Sequence, residues 1–450
     1  MVEIEDRDAL AGTSARELAL KCVTAGIEAA LPERVFRRSV SVSANEVRVL
    51  DETYDLDSYD EILVVGGGKP AGRVAAVLES VLTAVPLSLS GVVVTDDPTE
   101  TERIDVLEAA HPFPDERGVS GANRVLKAVQ GADEETLVLA VIGGGGSALL
   151  PAPAGRLSLA DLQSVTEALL DAGADIYELN AVRKHCSAIK GGQLSRAATP
   201  ATVVSLVLSD VAGDDLSVIA SGPTAPDEST FEDALAVLDR YGIDAPATVR
   251  ERLEGGAAGA EGAPSETPGP GDPAFDRTSN QVLANGRTAL DAARDTARDQ
   301  GFEPVVLSSR LRGEAREVGT TLAAVAEEVR DGGDPVAPPA VVISGGETTV
   351  TVRGDGVGGP NQELALGAAL PGEVEDWALA AVDTDGRDGG TDAAGALVGE
   401  GTVSDAETAE AARDALADND VFPFFDDRDA LIRTDRTGTN VNDLHVLVVP

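Results

Sequence analysis

The chain runs to 450 residues and carries 35 basic against 78 acidic side chains, a formal net charge of −43 and a sequence pI near 4.2. A field of that sign repels nucleic acid and anionic membrane surfaces, which excludes both as expected partners. Yet 43% of the residues are hydrophobic and fall in regular periodic runs, so the chain is not an acidic disordered tail.

Such a length suits two or three domains, each with its own core. Cys22 and Cys186, the only cysteines, match no metal or redox spacing, so a reducing compartment fits. The acidic start Met1–Asp6 leads into no signal-type apolar segment, and runs such as Leu137–Ile142 are too short to span a bilayer. The expected location is cytoplasmic. Acid excess, few aromatics and only five lysines (Lys21, Lys69, Lys127, Lys184 and Lys190) point to a halophilic protein whose self-repulsion is screened by concentrated salt.

Strand-like and amphipathic helical stretches alternate throughout, the pattern of an α/β protein with a largely parallel, doubly wound (Rossmann-like) sheet. The first clear strand, Ile62–Val65, passes through Gly66-Gly67-Gly68-Lys69-Pro70 into a helix over Ala71–Leu82. Glycines there allow a tight turn and close approach to a phosphate, and the helix start offers free N–H groups. Gly66, Gly68 and Ala71 also satisfy the loose dinucleotide spacing G-x-G-x-x-A. A lysine retained in a chain that otherwise prefers arginine makes Lys69 the first candidate for chemistry.

A strand over Val92–Val94 and a helix over Gly118–Ala128 follow, then a strand over Leu137–Ile142 that ends in Gly143-Gly144-Gly145-Gly146-Ser147. Consecutive glycines lose much chain entropy on folding, and a backbone concavity for an anion, with Ser147 as an added donor, supplies a reason for them. After a helix over Leu159–Leu170, the segment Asn180–Gly192 gathers Arg183, Lys184 and Lys190. On a continuing helix Arg183 and Lys190, seven apart, share a face that could clamp a carboxylate or phosphate. The strand Val203–Leu208 leads into Ser209-Asp210-Val211, where Asp210 stands at a strand end, the place an α/β sheet puts metal ligands and general bases.

Residues 255–276 are rich in Gly, Pro and Ala and read as a surface linker or extended loop. They separate a first domain, 1–254, from a second, smaller one, 277–450, with strands over Val282–Ala284, Pro304–Leu307, Val341–Ile343, Ala378–Ala381 and Val446–Val449. In it Ser344–Thr349 and Gly358–Glu363 flank a hairpin-like stretch, and residues 383–392 hold four carboxylates, including Asp383 and Asp385. That density suits Mg²⁺ held by one or two carboxylates and substrate phosphates.

Together these segments resemble the glycerate 2-kinase family, two-domain kinases with a carboxy-terminal MOFRL domain. The matching stretches are Gly66–Lys69, His111–Asp115, Gly144–Ser147, Asn180–His185, Ile189–Gly192, Ser209–Val211, Ala220–Thr224, Ser344–Thr348, Asn361–Glu363, Asp383–Gly386 and Thr439–Asp443, in the family's order. The resemblance implies ATP- and Mg²⁺-dependent phosphorylation of D-glycerate to 2-phosphoglycerate in a cleft between domains, the second of them a MOFRL-type α/β fold. The family's functional lysine maps onto Lys69; together with the reading of the segments above, Lys69 and Asp210 are the catalytic candidates, and Ser147, Arg183, Lys190, Glu347 and Asn361 the candidates for the substrate. Gly66, Gly67, Gly68, Gly144, Gly145 and Gly146 are expected at nucleotide phosphates, and Asp210, Asp383 and Asp385 at metal. One departure stands out: Pro360 occupies the place where the family commonly has an arginine, with Arg353 or Arg387 as nearby substitutes.

A hydroxypyruvate reductase using NAD(P)H is the competing reading, with Asp96 or Asp97 as ribose ligand; a non-enzymatic binding protein is the third. Oligomeric state stays open, a homo-oligomer included. The acidic composition itself predicts that thermal unfolding shifts to higher temperature in molar KCl than in dilute buffer; easier unfolding in salt would contradict adaptation to it.

Overall fold

The computed structural model describes residues 2–259, 262–370 and 376–450. They form two compact units, one of residues 35–283 and one that joins 1–34 to 284–450.

The 35–283 unit begins with a small antiparallel sheet of β1 (Val40–Val42), β2 (Glu46–Val49) and β3 (Glu52–Asp55), which the sequence pattern did not announce. Its main sheet is built from β4 (Glu61–Gly67), β5 (Ser88–Thr95), β6 (Ile104–Glu108), β7 (Thr136–Gly143), β8 (Thr202–Leu208) and β9 (Thr278–Ala284), in the order β6-β5-β4-β7-β8-β9. From β6 to β8 every pairing is parallel. All eight residues of β7 are buried, as expected for a strand covered on both faces. Leu63, Val65, Val138, Ala140 and Ile142 pack in one cluster with Ala122, Val125 and Val129 of helix Glu116–Val129. The chain builds outward from β4 to β6 and then returns to place β7 on β4's other side. The C-terminal ends of β4 and β7 therefore flank the topological switch point, where open α/β sheets bind their ligands.

The other unit carries a mixed sheet of β10 (Glu303–Leu311), β11 (Ala340–Gly346), β12 (Ala378–Asp383), β13 (Gly395–Gly399), β14 (Leu431–Ile432) and β15 (Asp443–Val449). Their order is β10-β11-β15-β12-β13-β14, with β10 and β11 parallel and the other neighbours antiparallel. Helices Ala315–Gly332 and Pro360–Ala369 bury Leu322, Ala326, Leu364 and Ala368 with Val342, Leu379 and Leu447 of this sheet. They approach closely, because a side chain at Gly319 would put its Cβ 1.9 Å from the Leu364 carbonyl oxygen.

The units differ from the domains expected at 1–254 and 277–450. Helix Ser14–Ala30 joins the second sheet because Gly26 lets it approach helix Gly286–Asp299: a Cβ there would lie 2.5 Å from Leu444 Cδ2 and 3.0 Å from the Ala289 carbonyl oxygen. The strand expected over Val282–Ala284 is β9, an edge of the first sheet. The expected linker is largely structured too. Helix Ala247–Ala258 runs through its start, residues 260 and 261 lie outside the described residues, and the remainder is pinned to the 35–283 unit. Thr267 Oγ1 donates to Asp227 Oδ2 at 2.9 Å, and the Arg196 guanidinium reaches the Glu266 carbonyl and Asp272 Oδ2, both at 2.8 Å. The hairpin-like stretch after Thr348 forms no hairpin; Thr349 bridges to Glu314, and Asn419 Oδ1 accepts the Arg353 and Gly354 N–H groups.

Gly319→Ala should lower the stability of the protein by about 1–3 kcal/mol through helix overpacking. Gly12→Ala, with open space around the new methyl, should stay within about 0.5 kcal/mol of wild type, as denaturant melts would show.

Candidate active site

At the switch point the two glycine turns touch backbone to backbone. Gly66 has φ +124° and sits where a Cβ would lie 2.0 Å from the Val141 carbonyl oxygen; one at Gly68 would lie 2.8 Å from Gly143. These glycines are therefore required for strand and turn contact. The Gly68 N–H donates to the Val94 carbonyl at 3.0 Å and the Lys69 N–H to that of Gly144 at 2.8 Å. Gly66 and Gly67 are ladder residues between β5 and β7. The first turn, where Gly66, Gly67 and Gly68 were expected at a phosphate, thus has its backbone engaged in the sheet. Gly67 is a paired strand residue and the Gly68 N–H already has its acceptor.

The second turn is different. Among the described residues the amides of Gly145, Gly146 and Ser147 donate no backbone hydrogen bond, and Gly145, at φ +74°, opens the short helix Gly146–Leu149. Three adjacent N–H donors make an anion-binding concavity. A Cβ on Gly145 would meet Lys69 Cγ at 3.2 Å and His111 Cδ2 at 3.0 Å, so Lys69 and His111 both border this turn. His111, read from sequence as a turn-shaping residue, stands beside the candidate cradle.

Helix Ile176–His185, started by an Asp175 capping box, ends before Lys190, so Arg183 and Lys190 do not share a helical face as expected. They nevertheless remain electrostatic neighbours. Lys190 is buried and donates from Nζ to the carbonyls of Ser147 at 2.7 Å and Leu150 at 3.5 Å, which places it behind the glycine turn as its support. Burial, with the Arg183 charge, pulls Lys190 down to about 7. Burial also lowers Arg183 to about 10; no hydrogen bond or ion pair holds its side chain among the described residues. Lys184 is settled otherwise, in a buried pair with Asp227 at 3.0 Å. Asp210 follows β8, half-buried. Two residues that lie in the matching stretches without an assigned role complete the set: Ser221 Oγ contacts Ser147 Oγ at 2.8 Å and donates to Asn180 Oδ1 at 2.9 Å.

The mixed-sheet unit carries the other candidates. Glu347 is exposed just after β11. Asn361, expected at the substrate, is buried with both ends of its amide engaged: Nδ2 reaches Asp388 at 3.2 Å and Asp443 at 2.8 Å, while Oδ1 meets His445 Nε2 at 3.2 Å. Its amide is held within the protein. Burial raises Asp388 to about 6 and raises Asp443 as well, against the pull of the Asn361 hydrogen bonds, and lowers His445 to about 4. Asp388 accepts the Asn361 and Gln362 N–H groups at 2.9 and 2.8 Å, capping helix Pro360–Ala369. Pro360 is that helix's first residue, a position that suits proline. Neither nearby arginine replaces the missing side chain visibly: Arg353 is exposed and the Arg387 guanidinium donates to the Asp392 carbonyl.

Asp383 and Asp385 lie at the end of β12, half-buried, with the Asp385 N–H donated to Asp383 Oδ1 at 3.0 Å. Among the described residues no group of three or more His, Cys, Asp or Glu is arranged to hold a metal ion. Two carboxylates in one loop still fit Mg²⁺, which keeps waters and takes substrate phosphates in place of an all-protein cage. No helix among the described residues is long and apolar enough to cross a membrane.

A doubly wound sheet with two glycine turns, Lys69 and His111 at its switch point, together with a second unit that carries a mixed sheet, defines the α/β class of the protein. Known proteins narrow that class. Residues 18–254 match a domain family described as of unknown function, DUF4147, and residues 340–443 match the MOFRL family. The D-glycerate 2-kinase of Thermotoga maritima is 39% identical over 436 residues, 96% of this chain and 97% of its own. A protein of Agrobacterium vitis with a provisional hydroxypyruvate reductase name is 42% identical over 423 residues, 92% of this chain and 93% of its own. The crystal structure of the Thermotoga maritima glycerate kinase superposes with a TM-score of 0.82 at 37% identity, covering 97% of this chain and all of that one. The chain belongs to the glycerate 2-kinase family, with its DUF4147 and MOFRL domains.

Lys190 gives the site a pH signature. Between about pH 7 and the ordinary lysine value of 10.5, the unfolded chain binds a proton at this residue that the folded chain does not, so its contribution makes stability rise with pH. Wild type should therefore gain stability relative to Lys190→Met from pH 6.5 to about pH 10. Parallel stability profiles would contradict the buried, charge-crowded setting of this ammonium.

Proposed function

We propose that the chain is a glycerate kinase that transfers the γ-phosphoryl group of ATP to the 2-hydroxyl of D-glycerate, with Mg²⁺, yielding 2-phosphoglycerate and ADP. The observation that carries this reading is the pairing at the switch point of three open N–H donors, Gly145–Ser147, with the Lys69 side chain. Phosphoryl transfer asks a protein mainly to position two substrates and neutralise charge on the transferred group, and such a site does both.

Lys69 stabilises the phosphoryl group in flight. The amides of Gly145–Ser147 hold phosphate oxygens, and the Arg183 fork grips the glycerate carboxylate. The 2-hydroxyl oxygen forms the new bond to phosphorus as the bond to the bridging oxygen of ADP breaks, and Asp210 receives the hydroxyl proton as the new bond closes. Asp383 and Asp385 are the carboxylates suited to Mg²⁺, which when bound neutralises phosphate charge.

The reductase reading draws support from the Agrobacterium vitis relative's name and the G-x-G-x-x-A spacing. Against it, a dinucleotide turn offers its amides to a pyrophosphate, whereas the Gly68 and Lys69 amides already have backbone acceptors. In a coupled assay with D-glycerate, ATP and Mg²⁺, Lys69→Ala should lower kcat by about 10²-fold or more, as loss of a transition-state donor does. Near-normal turnover would remove Lys69 from the mechanism.

A further inference from the structure

We infer that Ser147 meets the substrate as a hydrogen-bond acceptor, its polarity fixed from behind by Ser221 and Asn180, and that this selects a hydroxy acid over the matching keto acid. The inference rests on the glycerate reading above.

A serine hydroxyl has one hydrogen to donate. Ser221 gives its hydrogen to Asn180 Oδ1 at 2.9 Å, a buried acceptor on helix Ile176–His185. With the Asn180 amide oxygen turned toward Ser221, Ser147 is the donor in the 2.8 Å contact between the two serines. Its hydrogen points inward, and what it offers outward is an oxygen lone pair. The sequence suggested the opposite role, an added donor for an anion; the three amides of the turn supply the donors without it.

The relay is held in place. Ala220, Ser221 and Gly222 have φ of +50°, +61° and +64°, a left-handed run that two non-glycine residues adopt at a cost in backbone energy. The Ser221 and Gly222 carbonyls accept the Gly191 and Gly192 N–H groups at 2.9 and 2.6 Å, which ties the run to the segment after Lys190. Lys190 in turn holds the Ser147 carbonyl at 2.7 Å. Ser147 is thus fixed at its backbone by a buried ammonium and at its hydroxyl by Ser221, while its own residue stays partly exposed at the end of the glycine turn.

A lone pair in that position has a chemical preference. In the bound ground state the 2-hydroxyl of glycerate can donate to it and keep its own lone pair for phosphorus; in a loose transition state the attacking hydroxyl keeps its proton until late, and the hydrogen turns from Ser147 to Asp210 only as the new bond closes. The keto oxygen of hydroxypyruvate has no hydrogen, so two acceptors would face each other, and a site built to pair a hydroxyl disfavours an analogue that lacks it. Ser147 is then a substrate contact that determines specificity, and Ser221 and Asn180 are positioning residues.

The test is inhibition of glycerate phosphorylation by hydroxypyruvate in wild type, Ser147→Ala and Ser221→Ala, with thermal melts to confirm that each variant folds. In wild type the Ki for hydroxypyruvate should exceed the KM for glycerate, and the ratio Ki/KM should fall by about tenfold in both variants, the effect of one lost hydrogen-bond preference. A merely structural role would move Ki and KM together. A ratio unchanged in both folded variants overturns the inference while leaving the kinase reading intact; a wild type that phosphorylates no glycerate overturns both.

Discussion

No side chain fits between β4 and β7 where they end. Gly66 has the Val141 carbonyl where its Cβ would be, and Gly68 has Gly143. This contact brings the two glycine turns together, lets the Lys69 amide reach the Gly144 carbonyl, and sets the Lys69 side chain against Gly145. The order of strands then places the joined turns at the switch point. A methyl group at Gly66 would separate the elements that make the site, so the glycines act first through packing and only at the second turn through open donors.

The second constraint is charge. In a chain of net charge −43 many arginines meet carboxylates at the surface, among them Arg117 with Asp115 and Glu108. Arg183 and Lys190 are exceptions: both lose solvation, and they raise each other's cost as like charges. Lys184, one residue from Arg183, shows what neutralisation looks like, with Asp227 at 3.0 Å. Two neighbouring cations left, among the described residues, without a carboxylate in so acidic a protein are an unusual arrangement unless an anion completes it. Lys190 serves that arrangement indirectly, by holding the Ser147 carbonyl of the turn whose amides are proposed to receive a phosphate.

Much of this was legible because strand-turn-helix units are local. Helix Ala71–Leu82 falls where its periodicity placed it, and β7 and β8 extend their expected cores by a residue or so. What could not be read came from contacts distant in sequence. Residues 1–34 join the second sheet through the Gly26 approach to Ala289 and Leu444, a meeting no local pattern encodes. Ser221 and Asn180 lie far from Ser147 in the chain, and only the fold makes them one relay. The same holds for Asn361: as a polar residue in a recognisable motif it read as a ligand group, yet Asp388, Asp443 and His445 surround it. Local chemistry named the candidate; tertiary packing decided whether its donors and acceptors were available.

The most direct test of the account follows the phosphorus itself. Phosphorus NMR of the purified protein with D-glycerate, ATP and Mg²⁺ in concentrated KCl should show the γ-phosphate signal replaced by that of 2-phosphoglycerate, with ADP formed in equal amount. Unchanged ATP, together with oxidation of NAD(P)H when hydroxypyruvate is supplied, would contradict it.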